Sequence, residues 1–519
     1  MATTQPFQHI GIVGAGNMGT MMAFGLAELG PDVSLWDVKS SNVDEAISMS
    51  KNEEKLKGKI SGFHDIHKLA DSIKPVTVDG DQRRLFLFSI THGWSADSVL
   101  DKMKDDLKKG DIILDGGNEN YRKTERRQRE LESKGISWIG MGVSGGYQSA
   151  RHGLSLSLGG DPDAINVVLP LLRTFAAKDA RTKEPCVSNI GPRGAGHYVK
   201  MVHNGIENGL LSTLCEAWDI LHSGLHLSHD QIGKILEKWN SEGELRHTFL
   251  VQIGSEICQR HKTTTGDKGG EAASSAGGFV LDDVGDKVVQ DDDDTEGTLY
   301  WMVMEAADRH VSAPTIATGQ FLRVASGNRR QRLLVADKLK VPHPKKMEAT
   351  KDADSFIETL RKAVFVSFLC SYCQGLELIA RASRDEKWNV NLGECMKIWR
   401  AGCIIQAEYI SDLLMPAVTS GARIMNMKLI NEVSAALTEH YDSLKLVVLS
   451  AVEADSCVPS MSASLEYLKY EASKMLPTRF MEAEMDFFGA HNYDRPSVKG
   501  EDPGKVAKGA HHYLETCLM

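Results

Sequence analysis

The sequence predicts a doubly wound α/β domain over residues 1–194, a large all-α domain over 195–476 and an irregular C-terminal tail over 477–519. Two patterns predict it. From Phe7 to about Cys186 short apolar runs alternate with helix-length segments, the order of a mostly parallel sheet wrapped by helices. After Gly194 strand-like runs become scarce and apolar residues recur at helical spacing.

The strands are read at His9–Val13, Val33–Asp37, Leu85–Ile90, Ile112–Asp115 and Ser137–Val143, short apolar runs separated by helix-length segments. The helices of the second part are read at Gly196–Ser223, Leu227–Asn240, Asp354–Arg381 and Asn431–Glu453. Thr263–Gly278, rich in Gly, Ser, Ala and Thr, reads as an insertion. Asp291–Asp294 lacks the alternating ligands and glycine of a calcium loop and reads as a solvated turn. From Pro477 the chain turns polar and irregular, as a tail packed on another surface would.

Composition narrows the function classes. A formal net charge of −10 gives no basic footprint for nucleic acid, so any anionic ligand needs a local cluster of cations. No stretch approaches about 18 uninterrupted apolar residues, and Met1–His9 has no basic, then apolar, leader pattern, so neither a membrane partner nor export is expected and the cytoplasm is the default. Nine cysteines without repeated spacing read as reduced thiols. Cys370 and Cys373 form a C-x-x-C inside an apolar helical run without a second pair or a histidine, so they read as core thiols and no metal site is expected.

The first strand runs directly into Gly14-Ala15-Gly16-Asn17-Met18-Gly19 and then the helical Thr20–Leu29. This is strand, G-x-G-x-x-G, helix: Gly14 permits the tight turn, Gly16 lets backbone N–H groups approach a pyrophosphate, and Gly19 allows close packing of helix on strand. The α/β domain is therefore of the Rossmann type, and NAD or NADP is the expected cofactor. Asp37 closes the next strand about 20 residues on, where a carboxylate can accept hydrogen bonds from a ribose and repels a 2′-phosphate, which favours NAD. Lys39, two residues further, could neutralise that phosphate. Asp115-Gly116-Gly117-Asn118 and Val143-Ser144-Gly145-Gly146 follow two later strands and should open on the same edge of the sheet, where ligands of such folds sit.

Past Gly194-Ala195-Gly196, the residues Lys200, His203, Asn204 and Glu207 fall at i, i+3, i+4 and i+7, one stripe of a helix. A polar stripe is usually a solvated face. Here His and Asn flank a Lys and a Glu that could serve as base and acid: a lysine desolvated in a cleft loses its proton more easily and can take one from a hydroxyl while hydride leaves. If a β-keto acid then loses CO₂, Glu207 can protonate carbon while Lys200 polarises the keto oxygen.

These motifs and Phe488-Gly489-Ala490-His491, in this order, make the sequence resemble the 6-phosphogluconate dehydrogenase family over nearly the whole chain. The resemblance implies a homodimer in which the tail completes the partner's active site. It implies Lys200 as base and Glu207 as acid, with Asn118, Ser144, Gly145, Gly146, His203 and Asn204 holding substrate and nicotinamide, and Arg323 and His491 as phosphate partners. Departures cluster at the phosphate end. Asn208 stands where the family usually has Tyr, Leu299-Tyr300-Trp301-Met302 where it has Gly-Lys-Trp-Thr, and Met485 where it has an arginine. Asp37 and Val38 stand where the family commonly has Asn and Arg. Losing a lysine and an arginine removes roughly 3–6 kcal/mol, on the order of 10² to 10⁴ in affinity. The leading expectation is oxidative decarboxylation of 6-phosphogluconate or a close sugar acid. The alternatives are the same chemistry on an unphosphorylated aldonate or other β-hydroxy acid, a dehydrogenase that does not decarboxylate, or a non-catalytic dinucleotide-binding regulator.

Overall fold

The computed structural model describes residues 6–262, 278–288, 297–347, 352–420, 424–489 and 491–496. The expected insertion, apart from Gly278, and the Asp291–Asp294 run lie outside these residues. The chain forms two compact units, one through Leu465 and one from Glu466.

Ten strands are formed: β1 (His9–Val13), β2 (Asp32–Trp36), β3 (Ile60–Phe63), β4 (Val76–Val78), β5 (Asp81–Arg83), β6 (Leu85–Phe88), β7 (Ile112–Asp115), β8 (Ser137–Ser144), β9 (Ser155–Gly159) and β10 (Val187–Gly191). Eight make one sheet in the order β10-β9-β8-β7-β6-β1-β2-β3, and β4 and β5 pair separately. From β8 to β3 neighbours are parallel, and β9 runs antiparallel to β8. Both faces are covered, so inward strands read as unbroken apolar runs. In β6, Leu85 and Leu87 enter the core on one face while Phe86 and Phe88 enter the core on the other, the period of two that a pleated strand imposes. The expected strands stand within two residues of their predicted ends. β3, β4, β5, β9 and β10 were not expected, and β9 and β10 extend the sheet past β8 toward the helical part.

Seven helices of the first unit carry the argument: α1 (Asn17–Leu29), α2 (Tyr121–Glu132), α3 (Ala195–Asp219), α4 (Thr298–Asp308), α5 (Pro314–Gly327), α6 (Ala353–Asp385) and α7 (Asn431–Glu453). α3 lies directly on β8 and β9. A β-carbon on Gly196 would stand 2.4 Å from the Gly140 carbonyl oxygen and 2.6 Å from the Gly159 nitrogen, and one on Gly142 would stand 2.5 Å from Cβ of Lys200. α6 is long and apolar enough to cross a bilayer, with a mean hydropathy of 1.6 over its most apolar window, yet that window is wholly buried inside the unit. It contains Cys370 and Cys373, both fully buried, and burial pushes their thiols well above the ordinary range. The eight cysteines among the described residues form no disulfide.

A polar knot ties the sheet to the helices. The Glu305 carboxylate on α4 accepts from Arg309 (2.8 Å), from the Tyr121 hydroxyl and from Arg122 of α2, while Arg309 also reaches Asp385 and Glu386 where α6 ends. In the second unit the described part is chiefly helix α8 (Thr478–Gly489).

The glycine contact makes a test with an informative sign. Alanine is the better helix former by roughly 1 kcal/mol, so Gly196→Ala should stabilise α3 if its surroundings were open. Because its β-carbon would displace backbone, we expect a net loss on the order of 1–3 kcal/mol, seen as a lower midpoint in urea denaturation.

Candidate active site

The glycine loop sits where the chain order reverses across the sheet, between β2 on one side of β1 and β6 on the other, the crevice in which doubly wound folds take ligands. Its three glycines do three different jobs. Gly14 has φ +109, and a β-carbon there would collide with the Ser89 carbonyl at 2.2 Å. A β-carbon on Gly19 would stand 1.9 Å from the Gly14 carbonyl, so α1 can close onto the loop only through glycine. A β-carbon on Gly16 would meet nothing within 4 Å. That open surface, at the N-terminus of α1 where Asn17 and Met18 begin the first turn, is the cradle a pyrophosphate requires.

Asp37 does more than the sequence indicated. One carboxylate oxygen accepts the Ala15 N–H at 2.7 Å and the other the Lys39 N–H at 2.8 Å, so the residue braces the glycine loop against the end of β2. Lys39 is exposed at the start of the next helix, and Val38 is 72% exposed.

On the same edge, the turns after β7 and β8 come together with α3. Asp115 is buried and folds its own turn by accepting the Gly117 N–H at 3.2 Å, which leaves Asn118 half-exposed at the rim. Burial raises the Asp115 carboxyl, against the opposing pull of His197 and Arg127. Beneath it, fully buried Arg127 donates to Glu119 at 2.6 Å and to Asp97 at 2.8 Å and stacks over the Trp138 ring. After β8, Ser144 is buried, Gly145 adopts φ +109 with a β-carbon position only 2.5 Å from the Gly402 carbonyl, and Gly146 faces open space.

The stripe on α3 is real. Lys200 is buried against Gly142 at the end of β8, His203 is fully buried, and Asn204 and Glu207 are half-exposed one turn on. His203 Nδ1–H donates to Asn204 Oδ1 at 3.1 Å, with a Glu207 carboxylate oxygen 3.7 Å from the same nitrogen, and Asn204 Nδ2 donates to Thr298 Oγ1 at 3.0 Å. Burial, then the positive charge of Lys200, holds His203 well below the ordinary histidine range, so the ring is neutral. With Nδ1 protonated, Nε2 offers a lone pair, and this buried atom has no hydrogen-bond partner in the protein.

Two contributors were not read from the sequence. Thr298 opens α4, 94 residues past the asparagine it holds. His197 donates from Nε2 to the Asp115 carbonyl (2.9 Å) and accepts the Thr124 hydroxyl at Nδ1 (2.6 Å), locking α3 to the β7 turn one helical turn before Lys200. Among the departures noted above, Met302 is fully buried under Gly205, so it is a core residue, whereas Tyr300 is 45% exposed and Asn208 is buried with its amide directed at the Ile316 carbonyl of α5. Arg323 is half-exposed on α5. His491 lies in the second unit, edge-on to Phe488 with ring centroids 5.9 Å apart. Among the described residues no group of three or more His, Cys, Asp or Glu side chains is placed to hold a metal.

Residues 9–191 match the NAD binding domain of 6-phosphogluconate dehydrogenase and residues 196–513 match the C-terminal domain of 6-phosphogluconate dehydrogenase. The chain belongs to the 6-phosphogluconate dehydrogenase family. It is 58% identical to the decarboxylating 6-phosphogluconate dehydrogenase of Emericella nidulans over 96% of this chain and 99% of that protein, and 34% identical to one from Spinacia oleracea over 95% and 97%. A solved 6-phosphogluconate dehydrogenase of Plasmodium falciparum, described apo, with its cofactor NADP⁺ and with its substrate 6-phosphogluconate, overlays with a TM-score of 0.82 at 28% identity and covers 95% of this chain. This family member therefore carries a nicotinamide-dinucleotide-binding domain.

The unequal surroundings of the glycines give a prediction. Gly16→Ala should fold with an unchanged melting midpoint and bind coenzyme at least tenfold more weakly by fluorescence titration. Gly19→Ala should lower the midpoint itself, because its β-carbon has no room.

Proposed function

We propose that this dehydrogenase oxidises 6-phosphogluconate at its β-hydroxyl and releases CO₂, with a bound nicotinamide dinucleotide as hydride acceptor. The observation that carries the reading is the Lys200–His203–Asn204–Glu207 stripe, its lysine and histidine buried and its asparagine and glutamate half-exposed, set by α3 at the edge of the sheet that also bears the open Gly16 cradle. Gly14, Gly16, Asn17, Met18, Gly19, Asp37, Lys39 and Asn118 hold the coenzyme, whose nicotinamide supplies the hydride-accepting carbon. Ser144, Gly145, Gly146, His203 and Asn204 orient the substrate. Neutral His203 accepts a substrate hydroxyl at Nε2, while Lys200 Nζ takes the proton of the hydroxyl being oxidised. After oxidation Lys200 returns that proton toward the keto oxygen, which stabilises the enol formed as CO₂ leaves. Glu207 then delivers a proton to carbon.

The proposed organisation is a coenzyme domain over 1–194, a helical substrate and dimerisation domain over 195–476, and a tail over 477–519 whose His491, with Arg323, meets the substrate phosphate across a homodimer. Support for self-association comes from α7, which leaves Leu446, Leu449 and Val452 at least half exposed on a helix otherwise packed in the core. A cytoplasmic enzyme fits the eight cysteines among the described residues, which form no disulfide. For coenzyme, we favour NAD. A carboxylate stands at Asp37 and an apolar side chain at Val38, with Lys39 beside them as a cation that could meet a 2′-phosphate. A second substrate, an unphosphorylated aldonate, is favoured by one observation: Tyr300 stands exposed at the position where the family resemblance implies a lysine.

Initial rates with 6-phosphogluconate and with gluconate decide between substrates. We expect turnover of 6-phosphogluconate, with Lys200→Met reducing kcat by roughly 10²–10⁴-fold and Glu207→Gln uncoupling oxidation from CO₂ release. Preference for gluconate would shift the reading to the aldonate, and turnover of neither with coenzyme binding intact would shift it to a regulator. For the coenzyme, Asp37→Asn should raise the NADP/NAD ratio of kcat/KM by about five- to tenfold, as removal of roughly 1 kcal/mol of charge repulsion predicts. An unchanged ratio would sink the assignment.

A further inference from the structure

Among the described residues before Gly194, two large apolar side chains stand more than half exposed: Val38 at 72% and Trp94 at 82%. Single exposed apolar residues are ordinary on a protein surface. These two are placed alike, because each follows a strand that borders β1. Val38 comes after β2, and Trp94 opens the Trp94–Met103 helix after β6. They therefore flank the Gly14–Gly19 loop at the carboxyl edge of the sheet, and the strands that lead to them are two spacings, roughly 10 Å, apart. Val99 and Met103 of the Trp94–Met103 helix share one apolar cluster with Trp36, the last residue of β2. Trp94 thus belongs to the same face of the sheet as the end of β2, where Asp37 stands.

Neither side chain hangs on a loose loop. Gly93, with φ +77, donates its N–H to Glu119 at 2.8 Å, and its carbonyl accepts from Arg127 at 2.8 Å. In the first turn that Trp94 opens, Asp97 accepts from Arg126 at 2.6 Å and from Arg127 at 2.8 Å. The turn at Val38 is closed by the Asp37 carboxylate, which accepts the Lys39 N–H at 2.8 Å and the Ala15 N–H at 2.7 Å. An apolar side chain held in water by fastened backbone adds little to the fold, and exposed apolar surface beside polar groups marks a binding site.

The neighbouring cradle selects what covers this surface. A dinucleotide whose pyrophosphate lies on Gly16 sends its adenosine half toward Asp37, and so between Val38 and Trp94. An adenine ring is flat and presents a π-face on both sides, so one face can take an aromatic ring and the other an aliphatic side chain. We propose, on the coenzyme reading of Gly16 and Asp37 given above, that Trp94 is a coenzyme-binding residue whose indole stacks on the adenine, with Val38 against the opposite face. Affinity drawn from the base is common to NAD and NADP. Trp94 therefore sets how tightly either coenzyme is held, and the residues at the ribose set which one is preferred.

The test is isothermal titration calorimetry of the full enzyme with NAD, NADP, ADP-ribose and nicotinamide mononucleotide. ADP-ribose carries the adenosine and both phosphates, and the mononucleotide lacks the adenosine. Saturable binding of ADP-ribose to the unaltered enzyme checks the Gly16 and Asp37 reading first, and its absence would overturn that reading together with the role of Trp94. In Trp94→Ala we expect NAD, NADP and ADP-ribose each to bind at least about fivefold more weakly, the lower end of what stacking on one base contributes. The NADP/NAD ratio of affinities and the binding of nicotinamide mononucleotide should stay as they are. Because the ring is exposed, the melting midpoint should not move, and Trp94→Phe, which keeps an aromatic face, should restore most of the loss. With ADP-ribose binding intact in the unaltered enzyme, a loss of less than about fivefold in Trp94→Ala overturns the stacking role alone. An equal loss for nicotinamide mononucleotide overturns it too, since Trp94 would then serve the other half of the coenzyme.

Discussion

The constraint on which the rest of this molecule depends is the backbone-to-backbone seat of α3 on β8 and β9. Gly140, Gly142, Gly159 and Gly196 leave no side chain between helix and sheet, so Lys200 arrives at the end of β8 with its own Cβ pressed against the strand. Any larger residue at these four places would lift the helix by a side-chain radius. The stripe would then miss the edge where the glycine loop and the Asp115 and Ser144 turns open. His197 adds direction to this contact, since its bonds to Asp115 and Thr124 set the rotation of α3 about its axis as well as its height.

A second layer of control is electrostatic and sits below the reacting edge. Arg127 carries Glu119 and Asp97 and stands 3.8 Å from Asp115, all of them wholly or largely withdrawn from water. Taken singly, buried ion pairs of this sort add little net stability, because desolvation offsets attraction. Their value here is geometric: Glu119 also accepts the Gly93 N–H, so the turns after β6 and β7 are fastened to one guanidinium. The Glu305 knot does the corresponding job between α2, α4 and the end of α6, joining the sheet to the helices.

Much of this was legible in the sequence, and the reasons differ by element. His9–Val13 and Ile112–Asp115 were read to the residue because buried parallel strands are unbroken apolar runs bounded by Gly or Asp. β3 and β10 escaped because Ile-Ser-Gly-Phe and Val-Ser-Asn-Ile-Gly carry too few apolar residues to stand out, their stability coming from neighbours already in the sheet. Lys200 to Glu207 could be found since helical spacing is a local property. Thr298 could not, because nothing local marks it as the partner of Asn204. The fit of Asp37 to Ala15 was also hidden, as a carboxylate at that position reads as a ligand contact before it reads as a brace. Met302, seen in the sequence only as a missing threonine, is in fact the residue that fills the hollow at Gly205.

The glycine seam also limits how the enzyme can move. Side chains that interdigitate can slide over one another by changing rotamer, but a carbonyl oxygen and a glycine α-carbon in contact have no such freedom. The strand β8 and the first turns of α3 thus behave as one rigid piece. Any adjustment between this piece and its surroundings falls to contacts made through longer side chains. α4 makes one such contact, resting on Gly205 through the flexible Met302 thioether. The Lys200 end of the stripe therefore keeps its place against β8.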